Sequence, residues 1–145
     1  MYTSNKLQES AQKAAAYYNE GYYCSEAVLL TTLEMVNSTL PREVIKLATG
    51  FGGGLTSGCI CGALSGAIMA LGLTAGRTSP HCDWQFSERL SKEMHELFIN
   101  KHRTTCCRVL LNRIGGIDSP QRPAHCANIT ADCAAWVMDL FEKNK

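Results

Sequence analysis

At 145 residues the chain is long enough to bury a sizeable core without covalent staples, and it fits one domain spanning 1–145. Fourteen Lys and Arg residues against thirteen Asp and Glu leave a net charge of +1, spread along the chain with no basic stripe, which argues against nucleic acid as a partner. The N-terminal stretch through Ser10 has neither an apolar run nor a cleavage site of small residues, so a cytoplasmic, reducing setting is expected, and there eight cysteines are too many to read as a disulfide framework.

The expected fold class is all-α: a single-domain helical bundle of about five to seven helices. From Asn5 to Tyr18 the positions Leu7, Ala11, Ala14, Ala15 and Tyr18 recur at helical spacing, and Gly21 follows as a stop. A second helix is expected from Cys24 or Ser25, turning Ala27, Val28, Leu30 or Thr31, and Met35 inward and ending before Pro41. A short third runs from about Pro41 to Ala48.

Residues 47–76 carry no charge and are long enough to cross a bilayer. Nine of the thirty are Gly, however, and Gly50-Phe-Gly-Gly-Gly54 cannot hold a regular helix, so a buried central helix is expected and a membrane span is not. That helix should run from Cys59 to about Leu73, after the Gly-rich loop. It carries a stripe of small residues, Gly58, Gly62, Gly66 and Ala70, that lets another backbone come close. Such a stripe suits a homodimer contact as well as one inside the chain.

Ser79-Pro80 reads as N-cap and first residue of a long amphipathic helix through Cys82, Trp84, Phe86, Leu90, Met94 and Phe98 to His102. Thr104 or Thr105 is expected to cap a brief helix through Val109 and Leu110, ended by Gly115-Gly116. After a loop at Asp118-Ser-Pro120, the last helix starts between Pro123 and Cys126 and passes through Ile129, Cys133, Trp136, Val137, Leu140 and Phe141. Sustained alternation is missing throughout, so no sheet is expected.

With these boundaries Cys24, Cys61, Cys107 and Cys126 each fall in or beside the first turn of a different helix. The free N–H groups and positive dipole end of a helix favour the thiolate, the form that binds metal or attacks a disulfide. The chain contains no C-x-x-C pair, which removes zinc ribbons, thioredoxin-type sites and c-type haem attachment. A cluster must therefore be assembled from distant segments.

Here the chain resembles the C_GCAxxG_C_C family of redox-active proteins, whose pattern is a cysteine, then C-G-A-x-x-G, then two further single cysteines. Cys61-Gly62-Ala63-Leu64-Ser65-Gly66, preceded by Gly52-Gly53-Gly54, supplies the central motif. Cys24-Ser25-Glu26-Ala27-Val28-Leu29 matches the first element, Cys107-Arg108-Val109-Leu110-Leu111 the third, and Cys126 the fourth. The resemblance implies a helical domain of this size, four cysteines acting together and a redox role, with a redox partner or a transporter-associated protein as its company. It implies no substrate.

Cys107 is preferred over Cys106 because Arg and Leu-Leu follow it, and adjacent residues point about 100° apart on a helix, so one of the pair is spare. Cys59 is the first reserve ligand, with Cys106 the other, while Cys82 and Cys133 read as packing. His125 and His81, each next to a cysteine, could serve as nitrogen ligands to iron or zinc, but a solvated or capping role is the preferred reading for both. Gly52, Gly53, Gly54 and Gly62 read as backbone that passes close to a cofactor or a neighbouring helix, since no Gly-Lys-Ser or Gly-Lys-Thr makes the tract a phosphate loop.

The leading functional expectation is a metal or iron-sulfur centre on Cys24, Cys61, Cys107 and Cys126, used in electron transfer or redox sensing. The alternatives are metal-free thiol-disulfide exchange, through pairs such as Cys24 with Cys61 or Cys106 with Cys107, and a structural zinc site. No hydrolase or dehydrogenase motif is present, and whether the protein is an enzyme stays open.

Overall fold

The computed structural model describes residues 4–145; Met1 to Thr3, part of the stretch read for a leader, lie outside the described residues. The fold is all-α. Its helices are α1 (Asn5–Glu20), α2 (Cys24–Met35), α3 (Lys46–Thr49), α4 (Gly62–Ala75), α5 (Gln85–His102), α6 (Cys107–Asn112) and α7 (Arg122–Lys143), with a 3-10 turn at Arg42–Ile45. Among the described residues there is no strand, only an isolated antiparallel bridge between Ile60 and Cys106, and no helix is long and apolar enough to cross a membrane.

Helix ends follow local chemistry where the expectations were met. The Ser4 side chain accepts a hydrogen bond from the Leu7 N–H at the start of α1, and Gly21 closes it with φ +113°. α2 opens at Cys24, where Glu26 reaches back to the Tyr23 N–H at 2.8 Å. Pro123 sits in the first turn of α7, where its missing N–H costs nothing.

Four boundaries differ. The helix expected over Pro41 to Ala48 is a 3-10 turn running into α3. α4 begins at Gly62, with Cys61 at the N-cap and Cys59 outside, because the preceding backbone is left-handed. α5 begins at Gln85 and not at Pro80: the Ser79 hydroxyl accepts from the His81 N–H within a turn, and Asp83 Oδ1 accepts from the Gln85 N–H, so Asp83 supplies the capping contact. α6 begins at Cys107, beyond either threonine; Thr104 Oγ1 instead accepts from the Cys106 N–H.

α4 is the centre of the bundle, in contact with α2, α3, α5 and α7, while α1 lies along α7 and also touches α2. Fully buried Phe98, Leu71, Leu90, Met94 and Leu140 fill the main core, and burying one side chain of this kind contributes about 1.5–3 kcal/mol. Close helix approach comes from small residues. A Cβ on Gly66 would lie 2.5 Å from the Ser25 carbonyl oxygen, and one on Gly62 would lie 2.6 Å from Cys24 Sγ, so the stripe in α4 serves an internal contact with α2. The Ser25 hydroxyl in turn donates to the Ala48 carbonyl at 2.7 Å, tying α3 to the same seam.

Candidate functional site

The segment between α3 and α4 is the least regular backbone of the protein. Gly53, Gly54, Leu55 and Thr56 all have φ between +55° and +64°, a left-handed turn of four residues. Glycine adopts this freely, but in Leu and Thr it costs roughly 1–2 kcal/mol per residue. The turn brings the chain back so that the Cys59 N–H donates to the Gly54 carbonyl at 2.8 Å, and the next residues pair with the start of α6. The Cys61 N–H donates to the Thr105 carbonyl at 2.7 Å, and the Cys107 N–H to the Cys59 carbonyl at 2.5 Å. Cys61 and Cys107, 46 positions apart in sequence, are thereby fixed side by side.

Cys24, Cys61, Cys107 and Cys126 all line one cavity of about 370 Å³. They come from four different helices: Cys24 and Cys107 are first residues, Cys61 is an N-cap, and Cys126 is the fifth residue of α7, one turn further in than expected. All eight cysteines are free thiols. The other four stay outside the cavity. Cys59 and Cys82 are exposed, Cys133 is completely buried in the core, and the Cys106 thiol donates to the Gly58 carbonyl at 3.4 Å.

Of the four glycines, Gly53 and Gly62 line the cavity. Gly52 lies against the Tyr23 ring, and a Cβ on Gly54 would lie 2.7 Å from Cys107 Cβ. These two shape the wall from behind. Among the described residues no group of three or more His, Cys, Asp or Glu side chains is placed to hold a metal ion.

The thiol electrostatics correct the sequence expectation. Helix N-termini favour thiolates, and the backbone does act in that direction: Gly53 and Ser25 amides stabilise a Cys24 anion, and Leu64 and Ala63 amides a Cys61 anion. Burial outweighs them. It pushes the Cys24 thiol up to about 11 and the Cys61 thiol up to about 12, and the proximity of the cavity thiols to one another adds to the rise. Cys107 is raised by burial and by Cys126, with the Arg122 guanidinium opposing. The inner cysteines of the metal-free protein are neutral thiols because taking a charge out of water costs more than a few amide dipoles return.

Tyr18, Arg122 and His125 are also in the lining, and of these the sequence points only to His125, as an alternative nitrogen ligand. The Tyr18 hydroxyl, its pKa raised by burial and by Cys126, hydrogen-bonds that cysteine. Arg122 is the one formally charged residue among those lining the cavity, which include no carboxylate. His125, expected to be solvated or capping, faces the cavity from α7, its Nε2 buried and without a hydrogen-bond partner. The available signal was its position beside Cys126. His81 lies in the turn before α5, exposed as expected.

Residues 22–140 match the family described as "Putative redox-active protein (C_GCAxxG_C_C)", and the chain belongs to that family. The matched region holds all four cavity cysteines, and the motif that the name writes G-C-A-x-x-G reads C-G-A-L-S-G at 61–66. No curated protein and no solved structure matches the chain.

Proposed function

We propose that this member of the C_GCAxxG_C_C family binds a metal-sulfur centre, an iron-sulfur cluster, on Cys24, Cys61, Cys107 and Cys126, and uses it for electron transfer or redox sensing. The observation that carries this reading is that four thiols from four separate helices line one cavity that contains no carboxylate. An all-sulfur donor set is the choice of soft metals and iron-sulfur clusters, whereas hard cations take oxygen.

The backbone supports the same reading. Amides of Gly53, Ala63 and Leu64 are directed at the sulfurs of Cys24 and Cys61, and such N–H donors are a recognised means of setting a cluster's potential. When bound, the centre would supply one-electron chemistry, which thiols alone do not. Metal ligation and thiol-disulfide exchange both use the thiolate, so the burial that raises the Cys24 and Cys61 thiols bears on both readings alike, and the metal content of the protein separates them.

Purification under anaerobic conditions, followed by iron and sulfide analysis and an ultraviolet-visible spectrum, tests the proposal. The expected result is iron with inorganic sulfide and a charge-transfer absorbance, both lost in Cys61→Ser and retained in Cys82→Ser. A colourless protein without metal would sink the reading. If mass spectrometry of that protein finds a reversible loss of two hydrogen atoms, two protons with two electrons, on treatment with an added oxidant, the dithiol alternative takes its place.

A further inference from the structure

A second cavity, of about 360 Å³, adjoins the cysteine cavity, and Gly53, Cys107 and Leu111 line both. Its rim is exposed, with Thr56 and Ser57 of the left-handed turn on one side and Arg108, Asn112 and Ile117 on the other. Cys107 therefore stands in the wall between the four-thiol site and a groove at the surface. The two sides of the groove are tied together, since Arg108 Nη2 donates to the Ser57 carbonyl at 2.9 Å and Ile60 bridges to Cys106. Four of the eight large apolar side chains exposed among the described residues, Leu55, Ile60, Val109 and Ile117, lie on these same segments.

This face is also basic. The stretch from Lys101 to Arg122 holds five of the fourteen Lys and Arg residues and one of the thirteen Asp and Glu residues, Asp118, while residues 47–76, which supply the other side of the groove, carry no charge. Lys101 is paired with Asp132. Arg103, Arg108 and Arg113 are exposed, and no ion pair of the described residues includes them or Arg122. Backbone oxygens hold three of these side chains instead: Arg108 donates to the Ser57 carbonyl, Arg113 to that of His102 and Arg122 to that of Ile117. A carbonyl fixes a guanidinium in place without cancelling its charge, so the positive field of this face reaches into solvent.

We propose that this face, from the left-handed turn across α6 to Ile117, docks an acidic electron-carrier protein that exchanges electrons with the centre behind Cys107. The inference rests on the electron-transfer reading above and adds to it the partner's charge and the place where it sits. One electron passes, the carrier being oxidised and the centre reduced. Complementary charge steers such encounters, and a few apolar side chains among arginines suit a small, short-lived contact. None of the four apolar side chains is aromatic, so the stacking platform on which single-stranded nucleic acid rests is missing.

Binding of two acidic carriers, a ferredoxin and a flavodoxin, to the anaerobically purified protein is measured by isothermal titration calorimetry. The expected result is a complex whose Kd weakens at least about tenfold between roughly 20 and 300 mM salt. Arg108→Glu and Arg113→Glu should each weaken it at least about fivefold, whereas Arg108→Lys, which keeps the charge, should stay within about twofold. Arg77→Glu, just beyond the opposite end of α4, should leave it unchanged. No binding by either carrier, binding indifferent to salt, or an equal loss in Arg77→Glu overturns the inference. Tighter binding of a single-stranded oligonucleotide through the same arginines also overturns it and assigns the face to nucleic acid. These readouts need no bound centre, so iron and sulfide analysis of the same preparation separates the two proposals. Iron-containing protein that ignores both carriers loses the docking surface alone, and iron-free protein that docks them through Arg108 loses the metal-sulfur reading alone.

Discussion

The two walls of the cysteine cavity are built on opposite principles. The inner wall, α2 against α4, is a seam of backbone contacts in which Gly62 and Gly66 leave no room for a methyl group and which buries Cys61 and packs the partly buried Cys24 against the core. The outer wall is the six-residue α6, its surrounding loops, the first turns of α7 and the end of α1, where Cys107 and Cys126 are partly buried and Tyr18, Arg122 and His125 supply polar atoms. One wall fixes its sulfurs by close packing and keeps them protonated. The other offers charge and hydrogen bonds to whatever enters.

The largest expected effect breaks the inner wall. Gly66→Ala drives a Cβ into the Ser25 backbone, which cannot move aside as a side chain could, and should lower unfolding stability in urea by about 2–3 kcal/mol. On the outer wall, Asn112→Ala removes an exposed side chain from α6 and should stay within about 0.5 kcal/mol. Equal losses in the two variants would erase the distinction between the walls.

Alkaline pH sharpens it. Cys24 and Cys61 titrate higher in the folded protein than in the unfolded chain, so between about 9 and their folded values the unfolded chain has lost protons that the folded protein keeps. Stability should therefore fall as pH rises from about 9 through 11 and 12, by up to about 1.4 kcal/mol per pH unit for each thiol. Unfolding measured across this range in Cys24→Ala or Cys61→Ala should give a shallower slope. Buried Cys133 leaves a residual one.

Thiol labelling gives a kinetic version of the comparison. At pH 8, iodoacetamide should modify exposed Cys59 and Cys82 at least about tenfold faster than Cys24 and Cys61, because burial limits both access and thiolate content. Peptide mapping over time reads the order, and early modification of Cys61 would contradict the burial account. The smallest effect concerns the left-handed turn. Leu55→Gly and Thr56→Gly remove positive-φ strain of roughly 1–2 kcal/mol at an entropic cost of roughly 0.5–1, so each should gain about 0.5–1 kcal/mol in urea unfolding.

Much of this fold was legible because it is written in local signals. The spacing of Leu7, Ala11 and Ala14 and the stop at Gly21 define α1, and Pro123 with the apolar run to Phe141 defines α7. Ser79-Pro80 carried the same signals and misled, since a cap motif also stabilises an isolated turn when the following residues, His81 to Asp83, are exposed and bury nothing. Four cysteines were singled out from their nearness to helix starts and the family pattern, and one cavity brings those four together. His125 was weighed as a ligand and read as solvated or capping, because its sequence neighbourhood does not reveal which way its ring faces; it is among the residues lining the cavity.

Sequence alone determined the helices, the glycine tract and which cysteines to group, because capping, periodicity and motif spacing act over a few residues. Tertiary structure decided what surrounds those cysteines. The pairing of residues 59–61 with 105–107 joins Cys61 to Cys107, and the α2–α4 seam buries Cys61 with Cys24 packed partly buried beside it. It also reversed the expected ionisation: a helix terminus favours the thiolate by a local dipole, but desolvation depends on everything packed around the sulfur, and in this cavity desolvation is the larger effect.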